Sequence, residues 1–130
     1  YQLNVPLVFF KKATSSVLND NVYQCSVHSF TKNLDYTLTA SKDYLGKGEK
    51  LLFVDDFLAN GEAALGASKI VKQAEAEIVG MAIIIEKSFQ SGRQRLADEG
   101  FEVYSLARIK KMAENHIEFI ESTSIHGKPL

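Results

Sequence analysis

The sequence predicts an α/β domain with a mainly parallel, Rossmann-like sheet flanked by helices, together with an antiparallel hairpin and flexible-loop insertion. Two segments, residues 51–54 and 77–87, have the continuous apolar sequence of strands that are covered on both faces. A third segment, residues 61–74, has helical spacing of its apolar residues and lies between them. Because apolar strands that alternate with helices are typical of parallel sheets, these observations together favour this fold class.

The N-terminal third of the chain predicts a strand, a loop and a hairpin, in that order. Residues 5–10 form a short apolar run, which indicates a buried strand. Residues 11–21 are polar and without a period, so we expect a long loop there. Residues 22–31 and 34–41 are rich in β-branched and aromatic side chains and have only two residues between them. They predict a hairpin whose second strand is half-buried, because its apolar and polar residues alternate.

The remaining elements follow from the same patterns. Residues 91–100 predict a short helix that Gly100 closes, since glycine is the usual residue just after a helix C-terminus. Its two arginines, Arg93 and Arg95, are expected on the exposed side of that helix. Residues 101–109 and a segment from His116 predict two further strands. A chain of 130 residues is of the size of one domain, so we expect a single domain over residues 1–130.

The bulk composition excludes several classes of partner. The formal net charge is −1, which argues against a general electrostatic affinity for nucleic acid or for an anionic membrane. No apolar run has the length of a membrane span. The one cysteine, Cys25, cannot form an internal disulfide, and its absence of a partner suits a reducing compartment. We therefore expect a cytoplasmic protein with small-molecule partners.

Two adjacent acids, Asp55 and Asp56, follow the apolar run that begins at Leu51. In open parallel sheets, ligands bind beyond the carboxyl ends of the strands, and two neighbouring carboxylates suit the hydroxyl groups of a vicinal diol. The segment that comes next, LANGEA, predicts a tight turn and a helix N-terminus. Free N–H groups and the helix dipole at such a terminus bind phosphate. Diol-binding acids directly before a phosphate cradle predict a ribose-5-phosphate site.

The segment LLFVDDFLANGEAA resembles the phosphoribosyl-pyrophosphate (PRPP) signature of the type I phosphoribosyltransferases. Its Asp-Asp-Phe-Leu-Ala-Asn-Gly pattern is most similar to the branch of that family that acts on xanthine, and the resemblance extends through VFFKK, HSFTK, IIIEKSFQSGR and VYSLARI. The resemblance implies a phosphoribosyltransferase-type fold and a purine-salvage enzyme that makes xanthosine 5′-monophosphate and pyrophosphate from xanthine and PRPP. It also implies Mg²⁺, held mainly through PRPP and water, and a homodimer.

The resemblance further implies a role for individual residues of this sequence. Asp55 and Asp56 would take the ribose hydroxyls, and Lys87 would contact the purine oxygen. Lys11 and Lys12 match the basic pair that begins a mobile loop over pyrophosphate. The PRPP 5′-phosphate would be held by five consecutive residues: Ala59, Asn60, Gly61, Glu62 and Ala63.

Three positions within this site leave alternatives open. Phe89 could stack on the purine, although packing in the core would explain it equally well. Asn60 replaces the threonine of many relatives, and it suits a helix N-cap. Glu62 stands where a neutral residue is expected, and its carboxylate opposes a phosphate dianion. We therefore expect Glu62 to point outward, since PRPP binding is otherwise weakened.

The family's purine-covering hood and a pyrophosphate-binding loop lie N-terminal to the first strand in relatives, so we expect this chain to be N-terminally truncated. An alternative function also stays open at this point. Some purine-operon regulators contain a non-catalytic domain of this type that senses PRPP. Retention of IEKSFQ, a feature of the base site, favours the enzyme over the regulator.

Overall fold

The computed structural model describes residues 4–15, 18–30, 32–113 and 116–120. The helices and strands are, in chain order, β1 Lys11–Ala13, β2 Val22–Ser29, β3 Leu34–Ser41, β4 Lys50–Leu58, α1 Glu62–Gln73, β5 Glu77–Lys87, α2 Gly92–Asp98, β6 Val103–Ala113 and β7 His116–Ile120. The chain forms two compact units. The first comprises Tyr1–Glu49 with Gly66–Glu77, and the second comprises Lys50–Leu65 with Ile78–Leu130. The expectation of a single domain stays a prediction.

The first unit contains an antiparallel sheet in the order β1-β3-β2. The predicted hairpin is confirmed, because β2 and β3 pair antiparallel along their whole length, from Val22 opposite Ser41 to Ser29 opposite Leu34. The part of α1 that belongs to this unit lies against the hairpin, where the Gln73 side chain donates to a β2 carbonyl oxygen. The prediction of a half-buried β3 is wrong for its second half. Residues 37–40 are buried whether they are apolar or threonine.

The segment before the hairpin differs from the prediction in two ways. Residues 5–10 are not a strand, and the side chains of Val5, Leu7 and Phe9 are 62%, 72% and 71% exposed. Pro6 has no N–H to donate to a sheet, and an apolar run becomes a buried strand only where another element covers it. The predicted loop 11–21 instead begins with β1, which pairs antiparallel with β3. Polar side chains are compatible with an edge strand, because they remain in solvent while the backbone pairs.

The second unit is built on a four-stranded sheet in the order β4-β5-β6-β7. Strands β5 and β6 pair parallel, from Met81 opposite Val103 to Lys87 opposite Ile109, and β7 adds antiparallel to β6. The helices α1 and α2 and the strands β5, β6 and β7 lie where the sequence predicts them. Gly100 has φ +88° directly after the last turn of α2, which confirms its role in closing that helix.

The core of the second unit lies on one face of this sheet. Six buried residues form it, and they come from β4, α1, β5, α2 and β6: Leu58, Ala64, Met81, Ile83, Leu96 and Val103. The prediction that β4 and β5 are covered on both faces is wrong for the described residues. Leu52 and Val54 of β4 are 52% and 61% exposed, and Ile84, on the face of β5 opposite Met81 and Ile83, is exposed as well. A continuous apolar run indicates two apolar faces, but it does not supply the element that covers the second one.

Strand β4 is longer than predicted. The sequence predicts a strand over residues 51–54 that ends before the acids, whereas β4 runs from Lys50 to Leu58 and includes both Asp55 and Asp56. The paired acids therefore do not end the strand. Burial explains this result, since Leu58 is 2% exposed and anchors the end of β4 in the core. Only three residues then separate β4 from α1.

Candidate functional site

The turn between β4 and α1, residues 59–61, is here called the phosphate loop. Gly61 has φ +84°, a backbone conformation that residues with a Cβ atom rarely adopt. Its carbonyl oxygen accepts the first hydrogen bond of α1, from Leu65 N–H at 2.9 Å. The N-cap of α1 is therefore Gly61, and the prediction that Asn60 caps the helix is wrong. The N–H groups in the first turn of a helix have no intrahelical partner, so this loop presents donors to an anion.

The first turn of α2 holds the phosphate loop in place. Gly92 N–H donates to the Ala59 carbonyl oxygen at 2.8 Å, and Arg95 Nη1 donates to the Asn60 carbonyl oxygen at 2.6 Å. Ser91 Oγ lies 3.4 Å from Asn60 Oδ1 and donates to it. The expectation that Arg95 lies on the exposed side of its helix is wrong, because its guanidinium reaches the loop and the residue is half-buried.

Backbone packing between the phosphate loop and α2 is close. A Cβ atom at Gly92 would lie 2.4 Å from the Ala59 carbonyl oxygen, and a Cβ atom at Gly61 would lie 3.2 Å from Gly92 Cα. Gly92 has no room for a side chain unless the backbone shifts, and at Gly61 a side chain would meet both a tight contact and a strained φ of +84°. The loop and the start of α2 are therefore in contact through their backbones.

The two acids differ in their exposure. Asp55 is half-buried and Asp56 is exposed. Asp55 Oδ1 accepts a hydrogen bond from Asp56 N–H at 2.9 Å, and Asp56 Oδ1 accepts one from Phe57 N–H at 2.8 Å. Each carboxylate thus accepts a hydrogen bond from the backbone N–H of the next residue through one of its oxygens. These bonds restrain the orientation of both side chains.

Lys87, the last residue of β5, lies next to the acids' strand. Its Nζ is 5.7 Å from the centroid of the Phe57 ring, within the range of a cation–π interaction. Phe57 directly follows Asp56, so this contact brings the predicted base-contacting lysine beside the end of the predicted ribose segment. Phe89 is 48% exposed and two residues further on. The described structure thus leaves the Phe89 ring accessible, as a stacking role would need.

Glu86, the residue before Lys87, is the centre of a charged cluster that sequence reasoning missed. Its side chain is buried, and Arg93 Nη2 lies 2.7 Å from Oε1. Ser105 Oγ donates to the same oxygen at 2.7 Å, Ser88 Oγ donates to Oε2 at 2.9 Å, and Arg108 Nε lies 3.4 Å from Oε2. The expectation that Arg93 lies on the exposed side of its helix is therefore wrong, because the residue is half-buried and pairs with Glu86.

Two opposing effects set the pKa of Glu86. Burial of its carboxyl group raises the pKa, whereas the hydrogen bonds from Arg93, Ser105 and Ser88 and the charge of Arg93 lower it. The net result is a pKa of about 2, lowered from 4.5. The carboxylate stays ionised, and it links the end of β5 to α2 through Arg93 and to β6 through Ser105.

Glu62, the first residue of α1, does not point its whole carboxylate outward. Its Oε1 is buried and has no hydrogen-bond partner among the residues that the structure describes. The expectation of an outward carboxylate is therefore wrong for this oxygen.

The predicted pyrophosphate residues lie in the first unit. Lys11 and Lys12 are exposed and belong to β1, where they pair with Thr39 and Leu38 of β3. Lys12 Nζ lies 5.0 Å from the centroid of the Tyr36 ring. Their part in binding pyrophosphate stays a prediction.

The described residues contain neither a cluster of metal-binding side chains nor a helix that could span a membrane. Within residues 4–15, 18–30, 32–113 and 116–120, no group of three or more histidine, cysteine, aspartate or glutamate side chains could hold a metal ion. Among the same residues, neither helix has the length and apolar character that crossing a membrane requires.

Solved structures of phosphoribosyltransferases share the fold of this chain. Adenine phosphoribosyltransferase from Thermoanaerobacter pseudethanolicus superposes with a TM-score of 0.71 at 24% sequence identity, over 83% of this chain and 59% of that one. The enzyme from Giardia lamblia gives a TM-score of 0.72 at 24% identity, over 82% of this chain and 59% of that one. The fold is therefore that of the type I phosphoribosyltransferases, as predicted. No family model matches the chain.

Sequence comparison points to one branch within this class. The chain is 58% identical over 120 residues to xanthine phosphoribosyltransferase 1 of Clostridium botulinum, covering 92% of this chain. It is 52% identical over 119 residues to xanthine phosphoribosyltransferase of Clostridium acetobutylicum, again covering 92% of this chain. It is 47% identical over 123 residues to the protein of that name from Lactococcus lactis subsp. cremoris, covering 95% of this chain. The predicted resemblance to xanthine phosphoribosyltransferase is confirmed. The chain spans 63% of the length of the two clostridial relatives.

Proposed function

We propose that this chain provides the PRPP-binding part and one side of the base site of a purine-salvage enzyme. The reaction is the transfer of a phosphoribosyl group from PRPP to xanthine, which gives xanthosine 5′-monophosphate and pyrophosphate. One observation carries the proposal beyond sequence similarity. Lys87 Nζ lies 5.7 Å from the centroid of the Phe57 ring, so a cation that could contact a base lies beside the strand that carries Asp55 and Asp56 and leads into the phosphate loop.

The phosphate loop and the acids would bind the phosphoribosyl group. The N–H groups of residues 59–63 would donate to the 5′-phosphate, since a helix N-terminus and a glycine turn favour an anion. Asp55 and Asp56 would accept hydrogen bonds from the ribose hydroxyls. Only Phe57 and Leu58 lie between Asp56 and the loop, so the acids and the phosphate-binding turn belong to one short segment.

Lys87 and Phe89 would bind the purine. An ammonium group donates to a purine carbonyl oxygen, and the half-exposed Phe89 ring offers an apolar face for stacking. The buried Glu86 supports this arrangement, because its bonds to Arg93 and Ser105 fix the strand end that carries Lys87. Selection of xanthine over guanine or hypoxanthine is part of the proposal and follows from the relatives' names.

Pyrophosphate leaves as the base nitrogen forms its bond to the anomeric carbon. The C–O bond to pyrophosphate breaks with its electron pair on oxygen, and the base gives up the proton of the attacking nitrogen. Lys11 and Lys12 would neutralise part of the charge on pyrophosphate. The chain's contribution is to position the two reactants, which can supply a large part of such a rate enhancement.

Mg²⁺ fits this site as an ion that arrives with PRPP rather than as one held by a protein cage. The described residues offer two adjacent carboxylates and no cluster of three metal-binding side chains. Asp55 and Asp56 would contact its water ligands. The ion supplies charge neutralisation on the pyrophosphate oxygens.

We further propose that the protein works in the cytoplasm as a homodimer with small-molecule partners alone. A reducing compartment suits the single Cys25, which forms no disulfide and is half-buried. The dimer follows from the family resemblance.

The test uses a protein of the relatives' full length and measures PRPP- and Mg²⁺-dependent formation of nucleotide. Xanthine, guanine and hypoxanthine are offered separately, and product is followed by chromatography. Rapid turnover with the highest kcat/KM for xanthine would support the proposal. Saturable PRPP binding without turnover of any base would contradict it and would favour a PRPP-sensing regulator.

A further inference from the structure

Arg95 contacts the phosphate loop although nothing in the proposed chemistry uses it. We infer that Arg95 is a positioning residue, which holds the Asn60–Gly61 peptide so that the loop's N–H groups face the 5′-phosphate of PRPP. This inference rests on the proposed function and goes further, because it assigns a role to a side chain outside the PRPP signature itself. Arg95 does not touch the substrate in this account.

The planar geometry of the peptide bond determines the direction in which the N–H groups of the phosphate loop point. In a trans peptide, the carbonyl oxygen of one residue and the N–H of the next point in opposite directions. Gly92 N–H holds the Ala59 carbonyl at 2.8 Å, and Arg95 Nη1 holds the Asn60 carbonyl at 2.6 Å. Two consecutive carbonyls are thus turned toward α2. The N–H groups of Asn60 and Gly61 must then point away from α2, as a phosphate cradle requires.

Of the three contacts from α2, the one made by Arg95 is the shortest and the only one that carries charge. Hydrogen bonds with a charged donor are about twice as strong as neutral ones. The Ser91 contact is long at 3.4 Å and reaches the Asn60 side chain rather than the backbone. The Gly92 contact is made by its backbone, so no substitution removes it cleanly. Arg95 is therefore the side chain on which the orientation of the Asn60–Gly61 peptide depends.

The charge of Arg95 adds a second effect. The ion pairs of the described residues include Arg93 and Arg108, both with Glu86, but none that involves Arg95. Among the described residues, no carboxylate therefore lies within ion-pair distance of the Arg95 guanidinium. Because the Arg95 guanidinium donates to a carbonyl oxygen of the phosphate loop, it polarises that peptide group. Its charge also raises the electrostatic potential where a phosphate would bind.

The test compares three variants in the full-length protein: Arg95→Met, Arg95→Lys and the control Gln94→Met. Gln94 is the exposed neighbour of Arg95 on α2, and its side chain donates a hydrogen bond to Asp98 of the same helix. For Arg95→Met we expect KM for PRPP to rise about tenfold, the effect of losing one charge-assisted hydrogen bond. The kcat and the KM for xanthine should stay within about twofold of the wild type.

Arg95→Lys keeps the charge and one donor but not the guanidinium geometry, so its KM for PRPP should fall between the wild type and Arg95→Met. Circular dichroism and thermal unfolding of each variant report on folding. If Arg95→Met is poorly folded, the comparison of folded Arg95→Lys with the wild type decides the question: a raised KM for PRPP supports the inference, and an unchanged KM contradicts it. Gln94→Met should match the wild type in every measurement.

Two results would overturn the inference. One is a KM for PRPP in Arg95→Met that equals the wild-type value. The other is an equal rise in KM for PRPP in both Arg95→Met and Gln94→Met, which would indicate a general effect on α2. If the wild type itself neither binds PRPP nor uses it, the proposed function fails together with this inference. If the wild type saturates with PRPP and the KM for PRPP of Arg95→Met is unchanged, only the inference about Arg95 fails and the proposed function stands.

Discussion

The buried carboxylate of Glu86 makes part of the folding stability depend on pH. The substitution Glu86→Gln keeps the size and shape of the side chain but removes its charge. Arg93 and Arg108 then lose the carboxylate with which they pair. We expect this variant to be less stable than the wild type near neutral pH, and the deficit should shrink as the pH falls.

The magnitude follows from the pKa shift. A fall in the pKa of Glu86 from 4.5 to about 2 corresponds to about 3 kcal/mol of folding free energy. Breaking a buried ion pair by removal of one partner costs about 3–5 kcal/mol, which is the same range. A loss of this size is a large fraction of the stability of a small protein, which is typically about 5–15 kcal/mol.

The sign of the pH dependence is fixed by the direction of the shift. Because the folded-state pKa lies below the unfolded value, the stabilisation is fully present above about pH 4.5 and is lost as the pH falls toward 2. By about pH 3 the wild type should have lost roughly 2 of the 3 kcal/mol. Glu86→Gln has no such group and should not lose this part.

Urea unfolding followed by circular dichroism measures the free energy of unfolding of wild type and Glu86→Gln between about pH 7 and pH 3. Glu99→Gln serves as the matched control, because Glu99 is exposed at the end of the same helix α2 that carries Arg93. We expect a difference near 3 kcal/mol at neutral pH that narrows to about 1 kcal/mol near pH 3. A difference that is constant over this range would refute the argument, since it would mean that the charge of Glu86 does not contribute.

Three further predictions concern the phosphoribosyl site. The double substitution Asp55→Asn with Asp56→Asn should lower kcat/KM by about 100-fold or more, because two ribose contacts are weakened, while thermal unfolding stays close to wild type. Glu62→Gln should lower the KM for PRPP about fivefold, because the substitution removes a carboxylate that repels the phosphate. Steady-state kinetics with varied PRPP concentration measure this KM. Gly92→Ala should cost about 2 kcal/mol in urea unfolding and raise KM for PRPP, because its Cβ would lie 2.4 Å from a phosphate-loop oxygen.

Each of these predictions has its own contradicting result. Wild-type turnover in the doubly substituted protein would show that the acids do not bind ribose. An unchanged KM in Glu62→Gln would mean that its carboxylate lies too far from the phosphate to matter. For Gly92→Ala the control is Gly46→Ala, since a Cβ there meets only a flexible carboxylate at 3.2 Å. Equal losses in the free energy of unfolding of Gly92→Ala and Gly46→Ala would show that the close contact at Gly92 is not the cause of the destabilisation.

Sequence patterns were sufficient for the elements whose signal is local. The helical spacing of α1, the apolar run of β5 and the glycine that closes α2 each depend on residues close together in the chain. The phosphate loop was predictable for the same reason, because a strand, a small-residue turn and a helix start follow one another directly. In these segments local preference and the final fold agree.

The features of the fold and of the site that the sequence does not predict depend on contacts between residues that are distant in the chain. The sequence cannot show that Arg93 reaches a carboxylate seven residues away, or that Arg95 reaches a carbonyl thirty-five residues away. Residues 5–10 carry the pattern of a buried strand, yet burial requires a covering element that the pattern does not describe. Strand β4 was predicted too short because two acids usually mark an end, whereas Leu58 anchors that strand in the core. The isolated position of Glu86 between apolar residues and Lys87 was the available signal for the charged cluster.

The bond between Gly92 N–H and the Ala59 carbonyl also has a spectroscopic consequence. Amide protons that are hydrogen-bonded in a packed backbone contact exchange slowly with deuterated solvent, and glycine amides occupy a distinct region of a nitrogen–proton correlation spectrum. The Gly92 resonance is therefore a built-in reporter of whether the phosphate loop and α2 are together. Its exchange rate gives the free energy of opening that contact without any label, and a ligand that binds the loop should slow it in proportion to occupancy.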